Sequence, residues 1–125
     1  MSKTDVKAKI LIVEDEKPLA RALELKLTRA GYTAIVALNG EIALEILHKE
    51  KFGLILLDLM MPKIDGFGVL EEMQKRSDKT PVIVLTNLSQ KEDEQRATSL
   101  GAKDFFVKSN TPIAEIVKKV EKLLG

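Results

Sequence analysis

Five short runs of apolar residues recur along the chain and predict five buried β-strands. Several of them are apolar at nearly every position, which is typical of parallel strands that helices cover on both faces. The runs lie at residues 9–13, 33–37, 53–57, 81–85 and 104–107.

The segments between the runs show the period of amphipathic helices. After the first run the apolar positions are Leu19, Ala22, Leu23, Leu27 and Ala30. Near the end of the chain they are Ile113, Ile116, Val117, Val120 and Leu124. The alternation predicts five βα units and a doubly wound, five-stranded parallel sheet of the α/β class. We expect the common strand order 2-1-3-4-5.

Proline, threonine and glycine residues predict where two of the helices begin and end. Pro18 and Pro112 suit first-turn positions, and Thr111 can cap the last helix. Gly31 suits the end of the first helix. These signals agree with the helical periods.

The segment 88–100 differs from the other helical segments because its interior is almost entirely polar. A helix with so little apolar surface is weakly anchored to the rest of a domain. We interpret it either as a solvated helix face or as a movable element.

Composition narrows the class of protein. The 125 residues fit one domain, with residues 1–8 as a polar tail. Lys plus Arg number 20 and Asp plus Glu 19, which gives a net charge of +1. The chain has no basic block of the kind that would indicate direct binding to nucleic acid. There are no cysteines, and no apolar run is long enough to cross a membrane. We expect a soluble, cytoplasmic protein without a membrane contact.

Polar side chains follow four of the predicted strands. The first strand is followed by Glu14, Asp15 and Glu16, and the third by Asp58. Thr86 ends the fourth strand and Lys108 the fifth. Since ligands of open α/β sheets bind beyond the carboxyl ends of the strands, these side chains predict one functional rim.

Two carboxylates on adjacent strands, Asp15 and Asp58, repel each other unless a cation lies between them. Mg²⁺ suits such a site because it prefers hard oxygen ligands. We expect Glu14 to act through water and the Met60 backbone carbonyl to supply a neutral ligand. A carboxylate beside a divalent cation can attack phosphorus, with the charge of the transferring oxygens neutralised by the cation and by neighbouring polar groups. Asp58 is therefore the predicted phosphoacceptor.

With these motifs the chain resembles the receiver domain of bacterial two-component response regulators. The matching stretches are Glu14-Asp15 after "ILIV", "DLMMPKIDG" at 58–66, Thr86 after "PVIVL", and "GAKDFFVK" at 101–108. The resemblance implies a flavodoxin-like fold and a Mg²⁺-dependent transfer of a phosphoryl group to Asp58. It also implies that Mg²⁺ is held by Asp15, Asp58 and the Met60 carbonyl, with Glu14 assisting, and that Thr86 and Lys108 contact the phosphoryl oxygens.

The resemblance further implies the partners and the kind of activity. The phosphoryl donor would be a histidine kinase, a phosphotransfer protein or a small donor such as acetyl phosphate. Thr86 and Phe105 would be switch residues, and a target protein or separate output domain would bind the face of helix 4, strand 5 and helix 5. Such a domain is not a conventional enzyme: it phosphorylates itself from a donor and hydrolyses the product slowly. The chain ends just after the fifth helix, so we expect a single receiver domain without an output domain, either as a stand-alone regulator or as a fragment of a longer protein.

The chain departs from the family pattern at two positions. Ser109 follows Lys108 where a cis proline is usual, and we expect a trans bond there because a cis bond before a residue other than proline is costly. Asn87 follows Thr86 where a smaller residue is usual, and we predict an altered rate of dephosphorylation, in a direction that the sequence does not give.

Three alternative functions have different signatures. A receiver-like interaction module that has lost phosphorylation is kept open by Ser109. A phosphohydrolase with an aspartyl nucleophile typically needs a second aspartate two residues later, where this chain has Met60. A flavin-binding module would place its phosphate beside Glu14, Asp15 and Glu16, which would repel it.

Overall fold

All five predicted strands form, and they pair in parallel in one sheet. In the computed structural model, which describes residues 8–124, the sheet order is β2-β1-β3-β4-β5, as predicted. The polar tail predicted for residues 1–8 lies outside the described residues except for Ala8. The strands are β1 (Lys9–Val13), β2 (Thr33–Ala37), β3 (Leu54–Leu57), β4 (Val82–Thr86) and β5 (Asp104–Val107).

Two strands differ from their predicted ranges, each boundary by no more than one residue. Strand β3 begins at Leu54 rather than Gly53, and β4 runs from Val82 to Thr86. Pro81 has no N–H group to donate, but its carbonyl still accepts a hydrogen bond from the Ile55 amide at 2.9 Å. At its other end β4 includes Thr86, which is the last residue of the strand.

Helices cover both faces of the sheet. They are α1 (Lys17–Arg29), α2 (Gly40–Lys49), α3 (Gly66–Lys75), α4 (Lys91–Ser99) and α5 (Ile113–Leu124), and a short 3₁₀ turn spans Lys108–Asn110. One apolar cluster joins the sheet to α2, α3 and α4, and a second joins it to α1 and α5. The near-continuous apolar strands supply both clusters, because successive side chains point to opposite faces.

The predicted helix ends are confirmed for α1 and need correction for α5. Pro18 lies in the first turn of α1, and Gly31 follows that helix with φ 102°. The Thr111 hydroxyl, however, donates to the Val107 carbonyl at 2.9 Å instead of capping α5. Helix α5 begins at Ile113, one residue after Pro112. The 3₁₀ turn before it directs the Thr111 hydroxyl back to β5, so this hydroxyl is not available as a cap.

Helix α4 is weakly anchored, as its polar sequence predicts. Ala97 is the one residue of the helix that is buried. Arg96 makes two further contacts: its guanidinium lies 4.1 Å from the centre of the Phe67 ring and 3.6 Å from the Glu71 carboxylate. The helix is thus held to α3 mainly through one exposed side chain.

Within residues 8–124, none of the helices combines the length and the apolar character that crossing a membrane would require.

Candidate functional site

The predicted site residues meet at the carboxyl edge of the sheet. Glu14 and Asp58 each come directly after a buried strand, and Lys108 comes directly after β5. Backbone hydrogen bonds continue the sheet at this edge, since the Asp58 amide donates to the Val13 carbonyl at 3.0 Å and the Glu14 amide to the Ala37 carbonyl at 3.0 Å. The strands therefore end together and deliver these side chains to one place.

Lys108 is the centre of the site. Its ammonium donates to Glu14 Oε2 at 3.0 Å, to Glu16 Oε1 at 2.7 Å and to Asp58 Oδ2 at 2.9 Å. The side chains of Glu14 and Asp58 are 3% and 4% exposed, whereas that of Glu16 is 55% exposed. One cation thus compensates two buried carboxylates and one that water can reach.

The structure also brings together the carboxylates predicted to hold a metal. Oxygens of Glu14, Asp15 and Asp58 all lie within 4.8 Å of one another. Three hard oxygen donors in one group fit a divalent cation such as Mg²⁺, and the single ammonium already shared by Glu14, Glu16 and Asp58 leaves negative charge for the cation to neutralise. The residues present therefore fit the predicted metal.

Charge and burial shift the pKa values of Glu14 and Lys108. Burial raises the pKa of Glu14 from 4.5 to about 7, against the effect of the Lys108 hydrogen bond and with a further contribution from the Asp58 charge. Burial alone would lower the pKa of Lys108, but its bonds to Glu16, Asp58 and Glu14 outweigh burial and raise the pKa. The ammonium therefore remains charged at neutral pH.

The raised pKa of Glu14 predicts a pH-dependent stability. A carboxyl group whose pKa is higher in the folded protein stabilises the fold at low pH, and this contribution is lost as the pH rises through the folded value. We expect the free energy of unfolding of the wild type to fall relative to that of Glu14→Gln between about pH 4.5 and about pH 7. Urea unfolding followed by circular dichroism in EDTA measures this difference. A difference that stays constant over that range would contradict the prediction.

Thr86 ends β4, the strand next to the one that precedes Asp58, and Met60 borders the Asp58 carboxylate. Thr86 is fully buried, and its hydroxyl accepts from the Leu88 amide at 3.3 Å. The Met60 amide donates to Asp58 Oδ1 at 3.1 Å, so the backbone of Met60 borders the carboxylate. A shallow cavity of about 430 Å³ opens next to Asp15, and its wall includes Met60 and Leu88.

Phe105 and Phe106 occupy opposite faces of β5, as strand alternation predicts. Phe105 packs against the cluster that contains Ala97 of α4, and Phe106 against the cluster of α1 and α5. Phe105 is therefore the aromatic residue on the α4 side of the sheet. Its assignment as a switch residue stays a prediction.

The loop after Lys108 differs in sequence from the family pattern, and Lys108 still lies among the acidic side chains of the site. Every described peptide bond is trans, including the bond from Lys108 to Ser109, as expected from the sequence. Lys108 nevertheless reaches Asp58. Asn87 is exposed directly after Thr86, so its predicted effect on dephosphorylation remains to be measured.

Glu16 contacts Lys108 in the site, and the sequence did not predict this contact. The sequence places it among the acidic residues after β1, but no role follows from that position. Its contact with Lys108 joins residues 92 positions apart and depends on side-chain geometry. The available signal was a third acidic residue beside Glu14 and Asp15.

The fold and the acidic rim with its lysine agree with one class of protein, the receiver domains of two-component signalling. The model of the response regulator receiver domain family matches residues 10–121. The chain belongs to this family and is a receiver domain of a two-component response regulator.

Curated relatives support the family and extend beyond the chain. This chain is 43% identical over 122 residues to the probable transcriptional regulator ycf27 of Porphyridium aerugineum. The match covers 93% of this chain and 50% of that protein. The chain is 36% identical over 116 residues to the alkaline phosphatase synthesis transcriptional regulatory protein PhoP of Bacillus subtilis, covering 93% and 48%. The chain spans about half the length of the curated relatives it matches.

Solved structures agree with the fold. The receiver domain of Francisella response regulator 1452 matches with a TM-score of 0.88 and 30% identity, covering 94% of this chain and 96% of that one. The response regulator TrrA of Thermotoga maritima, in complex with Mg(2+)-BeF, matches with a TM-score of 0.81 and 34% identity, covering 93% and 98%. Chemotaxis protein CheY4 of Vibrio cholerae matches with a TM-score of 0.85 and 29% identity, covering 95% and 100%.

Proposed function

We propose that this receiver domain accepts a phosphoryl group on Asp58 in a Mg²⁺-dependent reaction and thereby changes its protein contacts. The observation that carries the proposal is the direct contact of 2.9 Å between the Lys108 ammonium and Asp58, inside a cluster of carboxylates at the sheet edge. A buried nucleophile beside a fixed cation is the arrangement that phosphoryl transfer needs.

The chemical step uses one oxygen of the Asp58 carboxylate. That oxygen attacks phosphorus, a new O–P bond forms, and the bond from phosphorus to the donor breaks, with the electron pair leaving on the donor nitrogen or oxygen. The Met60 amide and Lys108 hold the two carboxylate oxygens from different sides, which fixes the orientation of the nucleophile. Orientation of this kind lowers the barrier by removing rotational freedom before the reaction.

Charge on the transferring oxygens would be neutralised by this chain's own side chains and by a bound metal. Asp15, Asp58 and the Met60 carbonyl would hold Mg²⁺, with Glu14 assisting through water, and when bound the ion supplies positive charge to the phosphoryl oxygens. Lys108 supplies a second positive charge, and the Thr86 hydroxyl can donate one hydrogen bond. A complex with Mg(2+)-BeF in the similar TrrA supports a role for this metal.

The proposed output is a change on the face of α4, β5 and α5. Thr86 would move toward the phosphoryl group, Phe105 would turn inward, and α4 would shift because little of its surface is buried. The donor would be a histidine kinase, a phosphotransfer protein or a small molecule such as acetyl phosphate, and the target a protein or an output domain. We expect the domain to act in the cytoplasm without direct contact to nucleic acid or membrane.

Phosphorylation from acetyl phosphate tests the proposal. We expect intact-mass spectrometry to show one added phosphoryl group on the wild type with Mg²⁺, no addition with EDTA, and no addition on Asp58→Asn. Asp78→Asn, at the opposite end of the sheet, is the matched control and is expected to label like the wild type. Labelling of Asp58→Asn at the wild-type level would refute the proposal.

The lifetime of the phosphorylated protein tests the role of Asn87. Its exposed side chain directly follows Thr86, where it can narrow the path of attacking water or contact the phosphoryl group. We therefore expect Asn87→Ala to change the rate of dephosphorylation, measured as decay of the phosphorylated mass after removal of the donor. An unchanged decay would eliminate a role for Asn87.

A further inference from the structure

The first turn of α2 lies against the backbone of the loop that follows β3. Gly40, the first residue of α2, is buried. A Cβ atom at this position would lie 2.1 Å from the Ile64 carbonyl oxygen, 2.9 Å from the carbonyl carbon and 3.0 Å from Ile64 Cβ. Only a residue without a side chain allows the two backbones to approach so closely.

The loop at residues 60–65 carries the Met60 carbonyl, which is a proposed ligand of Mg²⁺. At the base of the loop the Gly66 amide donates to the Leu59 carbonyl at 3.1 Å. Further along the loop, the Ile64 backbone rests on the first turn of α2. The position of the loop is therefore set from two sides, by the sheet edge and by α2.

Burial indicates which of the two, helix or loop, would yield if they were pushed apart. Ala43 of α2 is 0% exposed, and Leu44 packs against the same apolar cluster. In the loop, Pro62 and Lys63 are exposed. The ion pair of Lys63 with Glu41, at 3.3 Å, joins side chains that are 62% and 55% exposed and adds little restraint. We therefore expect the loop to move and the helix to stay.

We propose that Gly40 is a positioning residue for the metal site: its missing side chain lets α2 support the loop at Ile64, and this support places the Met60 carbonyl beside the carboxylates. The inference rests on the function proposed above and adds a residue that the proposed metal ligands do not include. Mg²⁺ requires near-ideal octahedral geometry, so a small displacement of one oxygen ligand weakens its binding.

Gly40→Ala should therefore weaken the binding of Mg²⁺. The Ile64 carbonyl oxygen would have to retreat from 2.1 Å to at least 3.0 Å, because real Cβ atoms essentially never approach more closely. The movement would carry Met60 away from the carboxylates. Residues that orient metal ligands typically change metal affinity by 10- to 100-fold when they are substituted, and we expect a dissociation constant about tenfold higher.

NMR titration with magnesium chloride measures this constant on the folded protein. Trimethylamine N-oxide, which stabilises folded states, is present for every variant. The matched control is Gly53→Ala, before β3 at the opposite end of the sheet, where a Cβ atom would lie 2.7 Å from Ala8 Cβ. Gly53→Ala should bind Mg²⁺ as the wild type does.

The outcomes separate this inference from the proposed function. A folded Gly40→Ala that binds Mg²⁺ as tightly as the wild type would show that the helix yields, and the inference would be wrong. If Gly40→Ala does not fold, Ile64→Ala decides, because it removes the side chain that packs the loop against the core. We expect Ile64→Ala to bind Mg²⁺ more weakly than the wild type, and an unchanged constant would overturn the inference. A wild type that does not bind Mg²⁺ would instead overturn the proposed metal-dependent function.

Discussion

Replacing Lys108 with methionine is expected to lower the free energy of unfolding by about 3 kcal/mol at neutral pH in the absence of divalent cations. Methionine keeps much of the apolar stem but removes the charge that compensates Glu14 and Asp58, whose side chains are 3% and 4% exposed. The pKa of Lys108 is raised in the folded protein, so its contribution to stability is fully present at neutral pH and is lost only in strong alkali. Urea unfolding followed by circular dichroism measures the change.

The same substitution in a double variant shows whether the lost stability comes from the charge of Lys108. In the double variant Glu14→Gln, Asp58→Asn, no buried carboxylate contacts Lys108, so adding Lys108→Met should cost much less than in the wild type. Mg²⁺ should restore part of the stability of the single variant Lys108→Met, because a bound cation compensates the same carboxylates. An equal cost of Lys108→Met in both backgrounds would show that the lysine stabilises the fold by packing alone.

The second large effect is expected at Gly66, where α3 begins beside the loop that carries Asp58. A Cβ atom at this position would lie 2.4 Å from the Asp58 carbonyl oxygen and 2.7 Å from Leu59 Cα. Both are backbone atoms, so the clash can be relieved only by moving the chain that orients the Asp58 carboxylate. We expect Gly66→Ala to destabilise the fold by about 3 kcal/mol, within the range of overpacked interior sites, and to slow phosphorylation by acetyl phosphate at least tenfold.

Gly68, two residues further into α3, is the matched control for Gly66. A Cβ atom there would lie 2.8 Å from Ile64 Cγ2, a side-chain methyl group rather than a backbone atom, and 3.6 Å from Asp65 Oδ1. Alanine is also favoured over glycine inside a helix by about 1 kcal/mol. Gly68→Ala should therefore leave stability and labelling close to wild type. If Gly66→Ala behaves in the same way, the close approach at Gly66 does not constrain the loop.

The sheet was predictable because its strands are buried on both faces. Continuous apolar runs mark such strands, and three of the five predicted ranges agree with the structure at both ends. The errors lie where backbone chemistry decides the boundary, as at Pro81, which lies just outside β4. The cap predicted at Thr111 is wrong for a similar reason, because the 3₁₀ turn after β5 directs its hydroxyl to the Val107 carbonyl.

The residues that meet at the site were largely predictable from the sequence. The hydrogen bonds that they make with one another were not. Asp15, Asp58 and Lys108 follow strands whose carboxyl ends must meet, so their proximity follows from topology. The three-way contact of Lys108 depends on side-chain conformations across separations of up to 94 residues. The same limit hid the contact of Glu16, since an acidic residue at the start of a helix ordinarily suggests a cap.

Chemical trapping of the phosphorylated residue tests the central claim most directly. Borohydride reduces an aspartyl phosphate to homoserine, so treatment of the acetyl phosphate-labelled protein marks the acceptor permanently. We predict that peptide mapping will find homoserine at position 58 in the Mg²⁺-treated wild type and no homoserine in the EDTA-treated sample. Homoserine at another aspartate, or phosphate that survives on a different kind of residue while Asp58 remains unmodified, would contradict the account.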